Sequence, residues 1–467
     1  MFTIDFKKPI HIHFLGIGGI SMSGLARLLL TRGFTISGSD RSKSDLTENL
    51  EKLGAMVYYS QTGANLTDDI DLIVYTAAVH PDNPEFAAAK ERGIPMMDRA
   101  ELLGQLSATY RVSIGVSGTH GKTTTTGMLA VILMEAAQDP TVSLGGKMAA
   151  IGGNLRIGAS DEFLFEACEY TNSFLKFHPT DAVILNIDAD HLDFFKDLDD
   201  IRHSFRLFAD RIPEDGHLVI NGEIPGLSEF LTGVHGTVDT YGLLPEGALP
   251  KDSPYRYTGA GITFDARGCA SYDLYRDGVY VDRISLSVIG RHNVYNSLAA
   301  IAVAYLHGVS VDVMMRALAS FSGTERRFEK KGVRNGVTIV DDYAHHPTEI
   351  KATLTAALGS PHNRLWVVFQ PHTFTRTLSL RKEFVEALSI ADRIVLADIY
   401  AAREKDTGEI SSKDLAEDLR KQGKEAYYFP SFEEIAEFLK KNCVNGDLLI
   451  TMGAGDVVNI GTSLLQS

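Results

Sequence analysis

A chain of 467 residues, 44% apolar and 22% charged, has the composition of folded globular units, with length for about three at roughly 150 residues each. A disulfide-stapled miniprotein and a disordered chain are excluded. Forty-five basic against 60 acidic side chains leave a net charge of −15, which opposes nonspecific attraction to nucleic acid or anionic membranes but leaves room for a local basic pocket.

In chain order, residues 11–15 read as a short buried strand, followed by the turn GIGGISMSG and an apolar helix running through Leu30. A second strand is predicted to end at Asp40 and another to cover residues 71–76. A second unit begins near Arg111, where the strand at 112–116 enters GTHGKTTTT and a helix from Thr123 to about Ala137. Strands follow near 163–167 and 182–187, then a glycine-rich stretch, 233–268, that reads as a β-rich excursion or long loops. GRHNVYNSLAAIAVAYLHG predicts a helix closing this unit, and TERRFE, from Thr324, marks a hinge. A third unit alternates strand and helix again, with strands at 337–341, 365–369, 393–397 and 447–452. Three α/β units result.

Cys168, Cys269 and Cys443 stand far apart, with no pair at metal-ligand or redox spacing, which fits a reducing compartment. Residues 1–9 read as no secretory signal, and no run reaches the roughly 18 apolar residues of a membrane span. A cytoplasmic protein with no membrane insertion and no nucleic-acid partner is expected.

The strongest local signal is Gly118-Thr119-His120-Gly121-Lys122-Thr123-Thr124 after an apolar strand. Glycines let successive N–H groups curve around phosphate oxygens, Lys122 supplies a point charge near the terminal phosphates, and the Thr123 hydroxyl can hold Mg²⁺. Val116 stands where the strict phosphate-loop pattern has glycine, so a structural turn with a surface lysine is the competing reading. Glu166, in FEACEY, and His191, in NIDADHLDFF, follow strand-like segments, where parallel sheets collect ligands. Glu166 with Thr123 suits one Mg²⁺. His191 reads equally as a ligand of a second ion or as a structural histidine. Glu169, Asp188, Asp190 and Asp193 enrich the same region, with solvated strand-end charge as their plain reading.

The first loop, Gly16-Ile17-Gly18-Gly19-Ile20-Ser21-Met22-Ser23-Gly24, carries Ser21 where a dinucleotide fingerprint has glycine. Its amides and helix start suit a diphosphate, and Asp40, 24 residues after Gly16, invites a ribose contact. A nicotinamide cofactor and a packing-only turn are the weaker alternatives.

Taken together and in order, GTHGKTTTT, EACEYTNSF, NIDADHLDFF, GRHNVYNSLAA, GTERRFE, DDYAHHPTEI, QPHTFTRT and DIYAAREK closely resemble the ATP-dependent muramyl ligase family, with HFLGIGGISMSG and YTAAVHPDNPE at the front. The resemblance runs from His11 to Asp456. It implies a three-domain α/β architecture. A Rossmann-like N-terminal domain, residues 1–107, would hold a UDP-sugar. A P-loop central ATPase domain, 108–322, would precede a Rossmann-like C-terminal domain, 323–467, that closes over both.

The same resemblance implies ATP and Mg²⁺ as cofactors, and amide formation between the lactyl carboxylate of UDP-N-acetylmuramate and an amine, L-alanine in the branch most resembled, through an acyl phosphate. Gly16, Gly18, Gly19, Ser21, Met22, Ser23 and Asp40 would receive the UDP moiety, with Thr76, Ala77 and His80 near the substrate. The phosphate loop from Gly118 to Thr124 would hold ATP, with Asn293, Asn296 and Arg327 on the nucleotide side, Asn296 at the base, and His292 nearby. Thr123, Glu166 and His191 would bind metal. The catalytic set would be Lys122, Glu166, His191, His345 and Arg376. Arg326, Asp342, His346, Tyr400 and Arg403 would contact substrate during closure, supported by Tyr343, His372, Asp398 and Glu404.

Two departures stand out. Ile20 and Ser21 replace the alanine and glycine of many members. No lysine lies between Leu198 and Asp210, where several sister ligases carry a carbamylated lysine; Arg202, His203 and Arg206 stand there, and arginine stays protonated. A peptide-attaching recycling ligase and a regulatory P-loop ATPase are the alternative functions. Oligomeric state is not legible.

Overall fold

The computed structural model describes residues 2–76, 79–402 and 404–466. Three sheets form in succession along the chain, each from the strand and helix alternation legible in the sequence.

The first sheet is parallel, ordered Met56–Tyr58, Thr35–Ser39, His11–Leu15, Leu72–Tyr75, Met96–Asp98. His11–Leu15 is buried along its whole length, as an inner parallel strand must be. Its two neighbours in space are reached in opposite directions, so the carboxyl ends of His11–Leu15 and Leu72–Tyr75 frame the crevice where α/β sheets bind ligands. Gly16 and Thr76 sit at that crevice, immediately after those strands.

The central sheet has ten strands, ordered Val279–Ile289, Cys269–Arg276, Tyr257–Phe264, Thr237–Leu243, His217–Asn221, Asp181–Ile184, Val112–Ser117, Glu162–Glu166, Thr141–Met148, Gly153–Arg156. Its middle is parallel and its two ends turn antiparallel. The glycine-rich stretch is thus continuous sheet: Thr237–Leu243 and Tyr257–Phe264 extend the parallel core, and a bulge between Ala260 and Thr263 accommodates the irregularity that obscured the pattern. Val116 pairs with Glu166 and Ser117 with Ile184. The glycine loop, Glu166 and the 185–191 segment therefore emerge at one edge.

The third sheet, ordered Glu329–Arg334, Val337–Asp342, Leu448–Met452, Leu365–Phe369, Arg393–Leu396, Glu425–Tyr428, is parallel except for its first strand. The hinge segment carries Arg326 and Phe328 in left-handed backbone, at φ 60° and 47°. The first and middle units share one hydrophobic core, in which Leu155 and Phe174 pack with Met22 and Leu25. Among the described residues, no helix is long and apolar enough to cross a membrane.

Candidate active site at the junction of three units

The phosphate loop is shaped by its glycines and by a neighbour. Gly118 and Gly121 adopt φ of 143° and 88°, and Gly121 caps the helix Lys122–Glu135 without any side-chain bond, so the first helical amides stay open to an anion. A Cβ on Gly121 would stand 2.6 Å from Asn296 Oδ1, which places that side chain directly against the loop. Asn186 clamps the loop from the next strand: its Oδ1 accepts from His120 N–H at 2.8 Å and its Nδ2 donates to the His120 carbonyl at 3.0 Å.

Lys122 is shielded from solvent, and its ammonium donates to Glu169 at 2.8 and 3.1 Å and to the Gly118 and Thr119 carbonyls at 2.5 and 3.1 Å. Burial alone would lower its pKa, but the Glu169 charge reverses this and raises it, so the ammonium is secured. His191 Nε2 lies 3.7 Å from Glu169 Oε1, and its ring packs on Tyr170 at 4.5 Å. Its left-handed backbone, φ 54°, aims it there. Burial pushes the His191 pKa down, leaving the neutral imidazole that a metal or a proton requires. Glu166 accepts from Thr123 Oγ1 at 3.2 Å and from Gly145 N–H at 2.6 Å, and burial raises its pKa. A hydroxyl and a carboxylate side by side at a phosphate loop are the all-oxygen donor set that suits Mg²⁺.

The strand-end carboxylates are not simply solvated. Glu169 is 2% exposed on Lys122, Asp188 lies 3.2 Å from His120 Nε2, and Asp190 accepts from Arg376 Nε at 2.9 Å. Only Asp193 is exposed, and even it accepts from Tyr170 OH at 2.9 Å. The plain reading of this cluster is corrected for the first three: they tie the loop to its surroundings.

The third unit reaches across to the middle one at several points. Arg376, 9% exposed, holds Asp190, whose pKa burial would raise but the guanidinium lowers. His346 Nε2 lies 3.1 Å from the Ala189 carbonyl, and Thr348 Oγ1 donates to Asp188 at 2.7 Å. His120 Nδ1 lies 3.2 Å from Glu349. Burial would lower the His120 pKa, yet Asp188 and Glu349 together raise it to about 9. His345 packs beside the same glutamate with its pKa lowered by burial to about 4. Asp342 accepts from Phe328 and Ala344 N–H groups at 2.8 and 2.7 Å, and burial pushes its pKa up to about 6. Arg326 is bound to Asp341 at 2.8 Å and to the Gly453 carbonyl at 2.6 Å, so it fastens the hinge, with Tyr343 under its guanidinium. Glu404 accepts from Phe374 and Thr375 N–H groups, holding the Phe374–Ser379 helix that carries Arg376. Tyr400 stacks on His372 at 5.7 Å. Ala77 and Arg403 lie outside the described residues.

Between the middle and third units lies a cavity of about 460 Å³, lined by His120, Gly121, Thr124, Asn293, Asn296, Arg327 and Asp342 of the expected set. Glu223 and Tyr295, hydrogen-bonded at 2.9 Å, also line it, as do Asn186 and Glu349. None of these four stood out beforehand. Tyr295 lies inside GRHNVYNSLAA and Glu349 inside DDYAHHPTEI, so position within those segments was the available signal, whereas Glu223 belongs to no motif. A smaller cavity, about 250 Å³, lies between Asp190–Asp193 and Thr375–Leu380.

In the first unit Gly16, at φ 81°, turns the chain so that Gly16 and Ile17 N–H groups both donate to the Ser39 carbonyl, at 2.8 and 3.0 Å. Asp40 accepts from Gly18 N–H at 2.8 Å. Its carboxylate therefore organises the loop itself. Gly19 caps the helix Ile20–Thr31 with no side-chain bond, leaving the first-turn amides of Ile20, Ser21 and Met22 to face a ligand. The Met22 side chain is buried in the core, so the backbone is what that residue presents. Ser23 is buried and donates to the Ile20 carbonyl at 3.0 Å, and Arg99 donates to Ser21 Oγ at 3.0 Å. Thr76 packs against Gly16, where a Cβ would meet its methyl at 3.0 Å, and His80 is exposed.

A phosphate loop with its lysine and threonine beside a carboxylate, a second anion-ready loop in a neighbouring unit, and a third unit gripping the phosphate loop define a three-unit nucleotide-using enzyme. The chain belongs to the Mur ligase family: it matches the family's catalytic domain over residues 11–111, its middle domain over 116–304 and its glutamate ligase domain over 326–455. It is 56% identical over the full length of both chains to a UDP-N-acetylmuramate–L-alanine ligase of Lachnoclostridium phytofermentans. Among solved structures it resembles the UDP-N-acetylmuramate-alanine ligase of Thermotoga maritima, at 28% identity and TM-score 0.81 over 98% of each chain. It also resembles a murein peptide ligase of Psychrobacter arcticus, at 26% identity and TM-score 0.73 over 98% of each.

Proposed function

We propose that this chain is an ATP-dependent carbon–nitrogen ligase that joins L-alanine to the lactyl carboxylate of UDP-N-acetylmuramate, a cytoplasmic step of peptidoglycan precursor synthesis. The observation that carries the reading is the convergence of Lys122, Glu169 and His191 beside the Asp190–Arg376 pair, within a chain that matches an alanine-adding relative from end to end. Residues 1–107 hold the UDP-sugar, 108–322 the ATP, and 323–467 close over them.

A carboxylate is a poor acyl donor, so it is activated first. The substrate carboxylate takes the terminal phosphoryl group of ATP, giving a mixed anhydride and ADP. The free amine of L-alanine then attacks the carbonyl, the C–N bond forms, inorganic phosphate leaves with the C–O electron pair, and the nitrogen gives up one proton, which the departing phosphate can carry. Lys122 exchanges Glu169 for the terminal phosphates and neutralises charge that builds during transfer. Thr123 and Glu166 would hold Mg²⁺, and His191 would serve a second ion and the carboxylate. Positive charge for the phosphates would come from the Mg²⁺ held there. Asn293, Asn296 and Arg327 line the nucleotide cavity. The exposed first-turn amides after Gly19 receive the UDP diphosphate, with Thr76 and His80 alongside. Arg376 and His345, with Asp342, His346 and Tyr400, enclose the reacting groups and exclude water.

Incubation with ATP, Mg²⁺ and UDP-N-acetylmuramate, with the amine varied and the product weighed, tests this. L-Alanine is expected to give a product heavier by one alanyl residue, with one phosphate released per amide. Acceleration by a tripeptide and not by L-alanine would replace this reading by peptide attachment. ATP turnover independent of the UDP-sugar would replace it by a regulatory ATPase.

A further inference from the structure

The seam between the middle and third units gathers two imidazoles and a carboxylate around one point. Ligand atoms of His120, Asp188 and His346 all lie within 4.8 Å of one another. His120 Nε2 and Asp188 Oδ2 are 3.2 Å apart, close to the roughly 3.3 Å edge between two ligands of a tetrahedral ion with bonds of about 2.0 Å. The His346 ring faces His120 at 4.9 Å. The surrounding shell is also that of a metal site: His120 points its other ring nitrogen at Glu349, 3.2 Å away, and Thr348 Oγ1 donates to Asp188 at 2.7 Å. A carboxylate behind an imidazole fixes which ring nitrogen is free to bind and increases its basicity.

We propose that His120, Asp188 and His346 form a binding site for one zinc-class divalent cation, oriented by Glu349, that staples the middle unit to the third in the closed arrangement. Two nitrogens and one carboxylate oxygen select a borderline-soft ion over Mg²⁺, whose preferred donors are the oxygens of Thr123 and Glu166. Two carboxylates flank the His120 ring, so a divalent ion in place of the ring proton matches their charge. His346 exchanges its 3.1 Å bond to the Ala189 carbonyl for the ion. His120 and Asp188 lie on loops of the central sheet, and His346 caps the helix Pro347–Leu358 of the third unit, so one ion ties loops from both. The site does not depend on which amine the enzyme uses.

The full chain, free of nucleotide, is titrated with Zn²⁺ against a chromogenic chelator, with Co²⁺ absorption as a second readout. One tight ion per chain is expected, together with visible d–d bands of a low-coordinate nitrogen and oxygen site. His346→Gln and Asp188→Asn, checked for folding by circular dichroism, should each weaken binding by about tenfold or more, and Glu349→Gln by about 10- to 100-fold. His191→Gln should leave the affinity unchanged. Zn²⁺ should also reduce the radius of gyration of the wild type and not that of His346→Gln. Absence of stoichiometric binding, retention of wild-type affinity by both ligand variants, or loss in His191→Gln alone would overturn the proposal. If a variant misfolds, wild-type Co²⁺ bands support the site and their absence overturns it.

Discussion

The two glycine loops share strand, turn and helix but handle negative charge differently. At residues 16–24 the loop amides are mostly turned inward, onto Ser39 and Asp40, and only a helix start faces outward. At residues 118–124 a lysine, a threonine and a histidine stand among carboxylates from two units. Fixed dipoles suit an anion that is held and left intact; titratable and mobile charges suit one that reacts. Under the proposed function, recognition falls to the first loop and chemistry to the second.

The largest effect should come from Lys122→Ala. We expect kcat to fall by about 10³-fold, some 4 kcal/mol of lost transition-state stabilisation, with little change in the KM for UDP-N-acetylmuramate. Phosphate release at saturating substrates checks this, and a loss confined to the UDP-sugar KM would erase the distinction between the loops.

The second loop should also carry a pH signature. His120 has its pKa raised from an ordinary 6.5 to about 9, so its contribution is fully present below pH 6.5 and is lost as pH rises through about 9. The amount is on the order of 3 kcal/mol. Thermal denaturation between pH 6 and 10 should show this decline, and His120→Gln should flatten it; parallel curves would contradict the pairing.

Glu166→Gln keeps the shape but removes the charge beside Thr123. The Mg²⁺ concentration for half-maximal turnover should rise by about tenfold, and an unchanged metal dependence would remove Glu166 from the metal site. The smallest effect is expected in the first loop. A Cβ on Gly18 would stand 2.8 Å from Asp40 Oδ2 and 3.0 Å from the Thr47 methyl, so Gly18→Ala must displace the turn. The KM for the UDP-sugar should rise severalfold, costing about 1 kcal/mol, with the ATP KM unchanged.

The strands and both loops were legible because apolar runs end in glycine turns: the strands His11–Leu15 and Leu365–Phe369 appear where the pattern placed them. Glu169 was not legible as a partner of Lys122, since 47 residues separate them and only the pairing of Val112–Ser117 with Glu162–Glu166 brings them together. Asp40 was legible in part. Its distance from Gly16 invited a ribose contact, and the adjacent strand ends add a second role that spacing did not show, a bond from the Gly18 amide.

By itself the sequence determined the three α/β units, the two loops, and the absence of a lysine between Leu198 and Asp210, because local periodicity and residue chemistry need no partner to be read. Tertiary structure alone decided that Asp190 meets Arg376 across 186 residues, that Glu349 and Asp188 share His120, and that Glu223 lines the cavity between the middle and third units. Those contacts depend on how sheets stack and units close, and side-chain charge acts over a few ångströms in space, whatever the separation along the chain.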